Sequence, residues 1–277
     1  MPRSARVLPA LALSLLALAL ILAATATAAA APRAALTAKL RPEKLGAPTA
    51  ISLAFHLRPH LGEALPPLSN FALQLPRGMG FAASQLGLAT CTTSQLLSLG
   101  AHGCPGESLI GNGSAQVQVP FGTQVVRETA PVLVFMAKPV EGRTTTLIYF
   151  DGRKPVLAPI VLQSQVVTRK GSDNSVLDTP VQAIPSTPDG PEASLVSLRT
   201  TLGPAHLRYY RQEGGRRVPY RPEGLRLPAR CPRGGFRFDA SFRFRDESRI
   251  HAQTRVPCPR TPAGPAHGQR GRGQAGT

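Results

Sequence analysis

Tryptophan is absent from the 277 residues, and carboxylates are scarce, with 15 Asp and Glu against 32 Lys and Arg. Paired catalytic carboxylates, the requirement of most glycosidases, therefore have few sources. Ten acids scattered through residues 34–205 offer no recognisable pair, so the sequence lends a hydrolase of this class no support. Familiar catalytic signatures are missing too. Gly111-Asn-Gly-Ser114 lacks the G-x-S-x-G of a nucleophile elbow and the Gly-Lys-Ser/Thr ending of a phosphate loop. Ser172-Asp-Asn174 has no accompanying S-x-x-K or K-T-G. His56, His60 and Glu63 have a spacing that suits one helix face, but Pro59 between the histidines and Pro66-Pro67 beyond them oppose a helix, so no metal site and no cofactor are expected.

Long apolar runs are also missing, with one exception. Met1-Pro-Arg-Ser-Ala-Arg6 carries two positive charges, Val7 to Ala24 is uninterrupted and apolar, and small residues follow in Ala-x-Ala register. This is the pattern of a secretory signal peptide over residues 1–31, cleaved between Ala28 and Ala31. The run approaches the length of a membrane span, but no Lys or Arg stands directly after it. The mature chain is expected to be secreted or held at the cell envelope, without a transmembrane segment. No cysteine lies near the cleavage site, so a lipid anchor there is excluded.

What is abundant is turn chemistry: 26 glycines and 28 prolines disfavour long helices and suit short strands. The expected fold is all-β and β-sandwich-like, with one short disulfide-clamped helix. Four cysteines in an exported chain imply two disulfides, and local pairing, Cys91 with Cys104 and Cys231 with Cys258, requires the least rearrangement. Zinc is the rival, but the C-x10-H-x-C formed with His102 is not a usual ligand spacing. Thr92-Thr-Ser-Gln95 has capping-box spacing, Leu96, Leu97 and Leu99 follow, and Gly100 and Gly103 end the run, which predicts a helix of about two turns between the first two cysteines.

Strands are expected over 50–57, 68–75, 108–119, 145–150, 156–167, 195–202 and 206–210. Asp151-Gly152 reads as a hairpin turn, and Pro155 and Pro159 make the following arm an edge or bulged strand. The clearest pattern is Phe236-Arg-Phe-Asp-Ala-Ser-Phe-Arg-Phe-Arg245, whose period of two places phenylalanines on one face and arginines on the other. Asp246 to Ser248 turns the chain, Ile250 to Val256 returns, and Cys231 and Cys258 flank the two arms. The organisation predicted is a signal peptide (1–31), a β-rich domain (32–205), a basic β-hairpin region (206–258) and a disordered tail (259–277).

Leu75-Pro-Arg-Gly78, Leu88-Ala-Thr-Cys91 and Cys104-Pro105 through Ile110-Gly-Asn-Gly-Ser-Ala115 form a "C…L…CP..S.IG.G.A" segment, and residues 231–259 form a terminal disulfide-closed hairpin. Together these resemble a pattern of exported, uncharacterised proteins of high-GC actinobacteria. The resemblance covers about a third of the chain and implies export and a β-rich fold, with no activity attached.

Basic charge is concentrated in the last quarter of the chain. Residues 34–205 carry 13 basic and 10 acidic groups, whereas residues 206–277 carry 16 arginines and five acids. The chain has 27 arginines and 5 lysines, a bias that a high-GC genome produces by itself. Arg237, Arg243, Arg245, Arg249 and Arg255 are the candidate contacts for a polyanion such as a cell-wall polymer, an anionic lipid or a nucleic acid. Sequence-specific nucleic-acid recognition is not expected, because the phenylalanines point away from the charge. The leading expectation is a non-catalytic envelope or extracellular protein. A binding module for an anionic polymer is the first alternative and an extracellular hydrolase the second.

Overall fold

The computed structural model describes residues 33–59, 65–81, 86–87, 89–153, 158–168, 174–186, 189–203 and 207–259, without the side chains of residues 80, 81 and 158. The predicted signal peptide, the tail beyond Pro259, His60, Glu63, Ser172 and Asp173 lie outside these residues. Apart from one helix and two 3-10 turns, the described elements are strands, so the fold is all-β. In chain order β1 (Arg33–Arg41), β2 (Pro48–Arg58), β3 (Leu68–Gln74) and the short β4 (Gly80–Phe81) precede helix α1 (Thr93–Leu99). Then come β5 (Leu109–Phe121), β6 (Gln124–Val140), β7 (Arg143–Gly152), β8 (Ala158–Thr168), β9 (Ser175–Pro180) and β10 (Ser194–Leu202). A small hairpin, β11 (Tyr209–Glu213) and β12 (Arg216–Tyr220), leads to β13 (Leu225–Arg226), β14 (Phe236–Phe244) and β15 (Arg249–Val256).

The main sheet runs β1-β2-β10-β5-β6-β7-β8-β9-β3-β14-β15, and each of these ten neighbour pairs is antiparallel. An even number of reversals makes β15 run in the same direction as β1. The two lie side by side without ladder pairing, so the sheet is nearly closed. A round barrel of this size would leave space that side chains do not fill, since about eight strands is the limit for a packed interior. Among the described residues the interior holds apolar cavities of about 40 and 70 Å³. Opposite walls therefore pack directly on each other, which is the sandwich-like arrangement. Across the interior, Phe55 of β2 meets Phe71 of β3 at 5.1 Å and Phe242 of β14 at 4.9 Å between ring centroids. Phe236, Phe238, Phe242 and Phe244 are at most 1% exposed, and burying such a ring stabilises the fold by about 1.5–3 kcal/mol.

The hairpin predicted over 236–256 forms, and β14 joins the main sheet through β3. Both disulfides form as predicted, Cys91–Cys104 and Cys231–Cys258. The capping box is complete: the Gln95 N–H donates to Thr92 Oγ1 at 3.2 Å, and the Thr92 N–H donates to Gln95 Oε1 at 3.0 Å. Helix α1 lies on the outside of the sheet, where Leu96 and Cys91 cover Phe135, Leu147, Tyr149 and Val161. This second, smaller core explains why β7 is apolar on both faces: Ile148 and Phe150 face the interior, Leu147 and Tyr149 the helix.

The expected turn at Asp151-Gly152 is wrong. Both residues belong to β7, paired with Pro159 and Ala158, so the chain reverses beyond Gly152. Asp151 has a local partner in Arg153, whose Nε donates to its Oδ2 at 2.9 Å. Pro159 is tolerated because β9 pairs with β8 only from Gln165 onward, leaving β8 one-sided at the proline. The strand expected over 206–210 begins instead at Tyr209 and continues to Glu213 in a separate two-stranded hairpin.

Candidate polyanion-binding face

Three of the five arginines singled out in the sequence are engaged by neighbouring carboxylates. Arg237 donates from Nε and Nη2 to Asp239 Oδ1 at 2.9 and 2.7 Å, a bond that raises the guanidinium's already high pKa. Arg243 bonds Glu247 Oε2 at 3.1 and 2.6 Å. Arg245 donates to Glu192 at 3.1 Å and to the Val181 carbonyl at 2.8 Å. Such exposed pairs contribute little to stability, but each removes a cation from the local potential. Arg249 and Arg255 differ. They project from the outer face of β15, opposite Arg243 and Arg237 in the ladder, with no carboxylate partner among the described residues.

Closure of the sheet gives these two arginines new neighbours. Because β15 runs parallel to β1, Arg249 lies toward the end of the sheet that holds Arg33 and Arg58, themselves paired across β1 and β2. Arg255 lies toward the end that holds Lys39 and Arg41. The outer face continues over β10, with Arg199 beside Ala54 and Ser114, and onto β5. Strands β15, β1, β2, β10 and β5 are consecutive around the sheet and contain no Asp or Glu, while Arg33, Lys39, Arg41, Arg58, Arg199, Arg249 and Arg255 are all exposed on them. The acids bordering the face are Asp239 on the neighbouring β14, opposite Gln253 and bound to Arg237, Glu43 after β1, Glu107 just before β5, Glu192 just before β10 and bound to Arg245, and Asp246 and Glu247 before β15. A low-dielectric wall studded with one sign of charge concentrates polyanions at its surface. The interior is apolar and this exterior polar, the reverse of a barrel that faces lipid.

At the end of the face near Arg41, the β11–β12 hairpin leans over the turn between β1 and β2. A cleft of about 920 Å³ between them is lined by Arg41, Arg208, Arg221, Tyr209, Tyr210 and Tyr220, among others. The hairpin is anchored by the Tyr209 hydroxyl, which donates to the Leu109 carbonyl at 2.8 Å; burial raises its pKa, and so, less strongly, does Tyr220. Arg217 stacks on the Tyr210 ring at 4.2 Å and Arg211 lies over Tyr220 at 5.9 Å. The Tyr220 oxygen is buried without a hydrogen-bond partner. Glu223, the cleft's only carboxylate, is bound by Arg226.

The acid-free strands can be seen in the sequence, but not their adjacency. Nothing in the local pattern predicts that β1 and β15, more than two hundred residues apart, lie side by side. Among the described residues no cluster of three or more His, Cys, Asp or Glu could hold a metal ion, and no helix is long and apolar enough to cross a membrane. No protein-family model, curated protein or solved structure matches the chain.

Proposed function

We propose that this chain is an exported, non-catalytic protein of the cell envelope or extracellular space, akin to the actinobacterial group it resembles, and that it binds an anionic polymer. The observation that carries this reading is the outer face of β15, β1, β2, β10 and β5, with seven exposed cations and no carboxylate. Genomic arginine bias does not by itself account for it, because a bias in arginine does not remove acids from five consecutive strands. The two disulfides suit an oxidising compartment. The partner class is a cell-envelope polymer or similar polyanion, bound through backbone charge without sequence reading.

The test has two parts. Fractionation of the host with intact mass under non-reducing conditions should find a chain shortened by about 28–31 residues, outside the cytoplasm, with no free thiol. Cosedimentation with host cell wall should decline steeply between about 50 and 300 mM salt, since screening shortens the reach of surface charge. A cytoplasmic, full-length chain with four free thiols would overturn export, and salt-insensitive or absent wall binding would overturn the polymer reading.

A further inference from the structure

The geometry points to the cleft beneath the β11–β12 hairpin as a discrete binding site for one phosphate or carboxylate group of an anionic glycan or polyol polymer. This rests on the polyanion reading above for the source of its ligand, but on different residues. Three cations, Arg41, Arg208 and Arg221, line the cleft, and its single acid is bound to Arg226. Planar guanidinia bind carboxylate and phosphate in bidentate fashion, and such charge-assisted bonds are the strong ones. Three of the chain's four tyrosines line the same cleft. One face of Tyr210 is covered by Arg217, and Tyr220 packs against Tyr209 with Arg211 over it, contacts that compete with the stacking of a nucleobase on those faces. The donors the cleft presents are the guanidinia of Arg41, Arg208 and Arg221 around a concave space, the chemistry that recognises an anionic group.

Arg41 belongs both to this cleft and to the acid-free face, as the last residue of β1. A polymer lying along the face therefore has one of its anionic groups delivered to the cleft. The face supplies length-dependent attraction, and the cleft supplies a saturable site for a short fragment.

Titration calorimetry of the full chain with a glycerol-phosphate trimer, a uronic-acid trisaccharide and a six-residue oligothymidylate separates the possibilities. The wild type is expected to bind one of the first two at one site per chain, and which one identifies the source of the anion. The Arg208→Ala/Arg221→Ala variant should lose that affinity by about tenfold or more, as two charge-assisted contacts disappear, with an unchanged melting temperature. If that variant does not fold, Arg208→Lys/Arg221→Lys takes its place: it keeps the charge, loses the fork, and should still weaken the short ligand several-fold. Unchanged affinity in the folded variant, failure of the wild type to bind either short anion, or preference for the oligothymidylate each overturns the cleft assignment. Retention of long-polymer binding in those cases would leave the face reading standing. Loss of long-polymer binding alone, with the trimer still bound, would overturn the face and spare the cleft.

Discussion

At the residue scale, what a side chain does here depends on which face of the strand it occupies. Phe242 packs against both Phe55 and Phe71 and is 1% exposed. Phe242→Ala should destabilise the protein by about 3–5 kcal/mol, because opposing walls that meet through these rings cannot collapse to fill the gap; urea denaturation measures it. Gly113 marks a different constraint. A Cβ there would come within 2.0 Å of the Arg199 carbonyl oxygen of β10, so Gly113→Ala should weaken the β5–β10 pairing and lower the melting temperature more than Gly122→Ala, which meets no contact though its φ of 59° carries its own strain. Tyr209 provides a pH dependence. Burial raises its folded-state pKa, so its contribution is present below the unfolded value of about 10 and is lost as pH rises above it. Stability should fall above about pH 10, and Tyr209→Phe should flatten that fall; thermal melts from pH 8 to 11 decide it.

At the element scale, the structure separates what local pattern can specify from what it cannot. Helix α1 was legible because its signals are local: a capping box, three leucines, glycines at the exit and a cysteine on each side. β14 and β15 were legible because one face is uniformly apolar. β6 carries no such clean signal. At its first half Glu128 occupies an inward position, buried and accepting the Arg153 N–H at 3.0 Å, and from Phe135 to Ala137 both faces are covered because α1 lies outside. β1 is equally hidden, since alanines alternate with its two buried leucines. The error at Asp151-Gly152 has the same origin: a two-residue turn signature was overridden by ladder pairing that continues past it. A seven-residue helix is marginal alone, so α1 should depend on its clamp. Cys91→Ala/Cys104→Ala should cost about 3 kcal/mol in the entropic account and make residues 92–103 the first site of proteolysis, while the main sheet stays intact. Cleavage elsewhere first would contradict a local role for that disulfide.

At the scale of the whole molecule, the decisive feature is closure at the β1–β15 seam. It unites a strand from the start of the described chain with one from its end, and so gathers cations that are dispersed in the sequence into one field. The C-terminal arginines carried the signal of basic character, but three of the five prove to be locally neutralised. The cations without carboxylate partners lie partly in β1, β2 and β10, where no unusual charge density is visible in the sequence. The same seam lacks ladder bonds, so amide exchange in β1 and β15 should run ahead of exchange in β5 and β6, which are paired on both sides. Equal protection would mean that the seam is sealed in solution.

The polymer site proposed above is this outer face, and not the arginine-rich hairpin as such. The most direct measurement compares the salt dependence of binding to an anionic cell-wall polymer for two variants with equal numbers of lost charges. Arg33→Gln/Arg58→Gln/Arg255→Gln removes cations of the face that have no carboxylate partner among the described residues, and Arg237→Gln/Arg243→Gln/Arg245→Gln removes ion-paired ones. The first variant should lose most of the affinity and show a flatter salt dependence, while the second should remain close to wild type. Equal losses in both, or a greater loss in the second, would contradict that placement of the site.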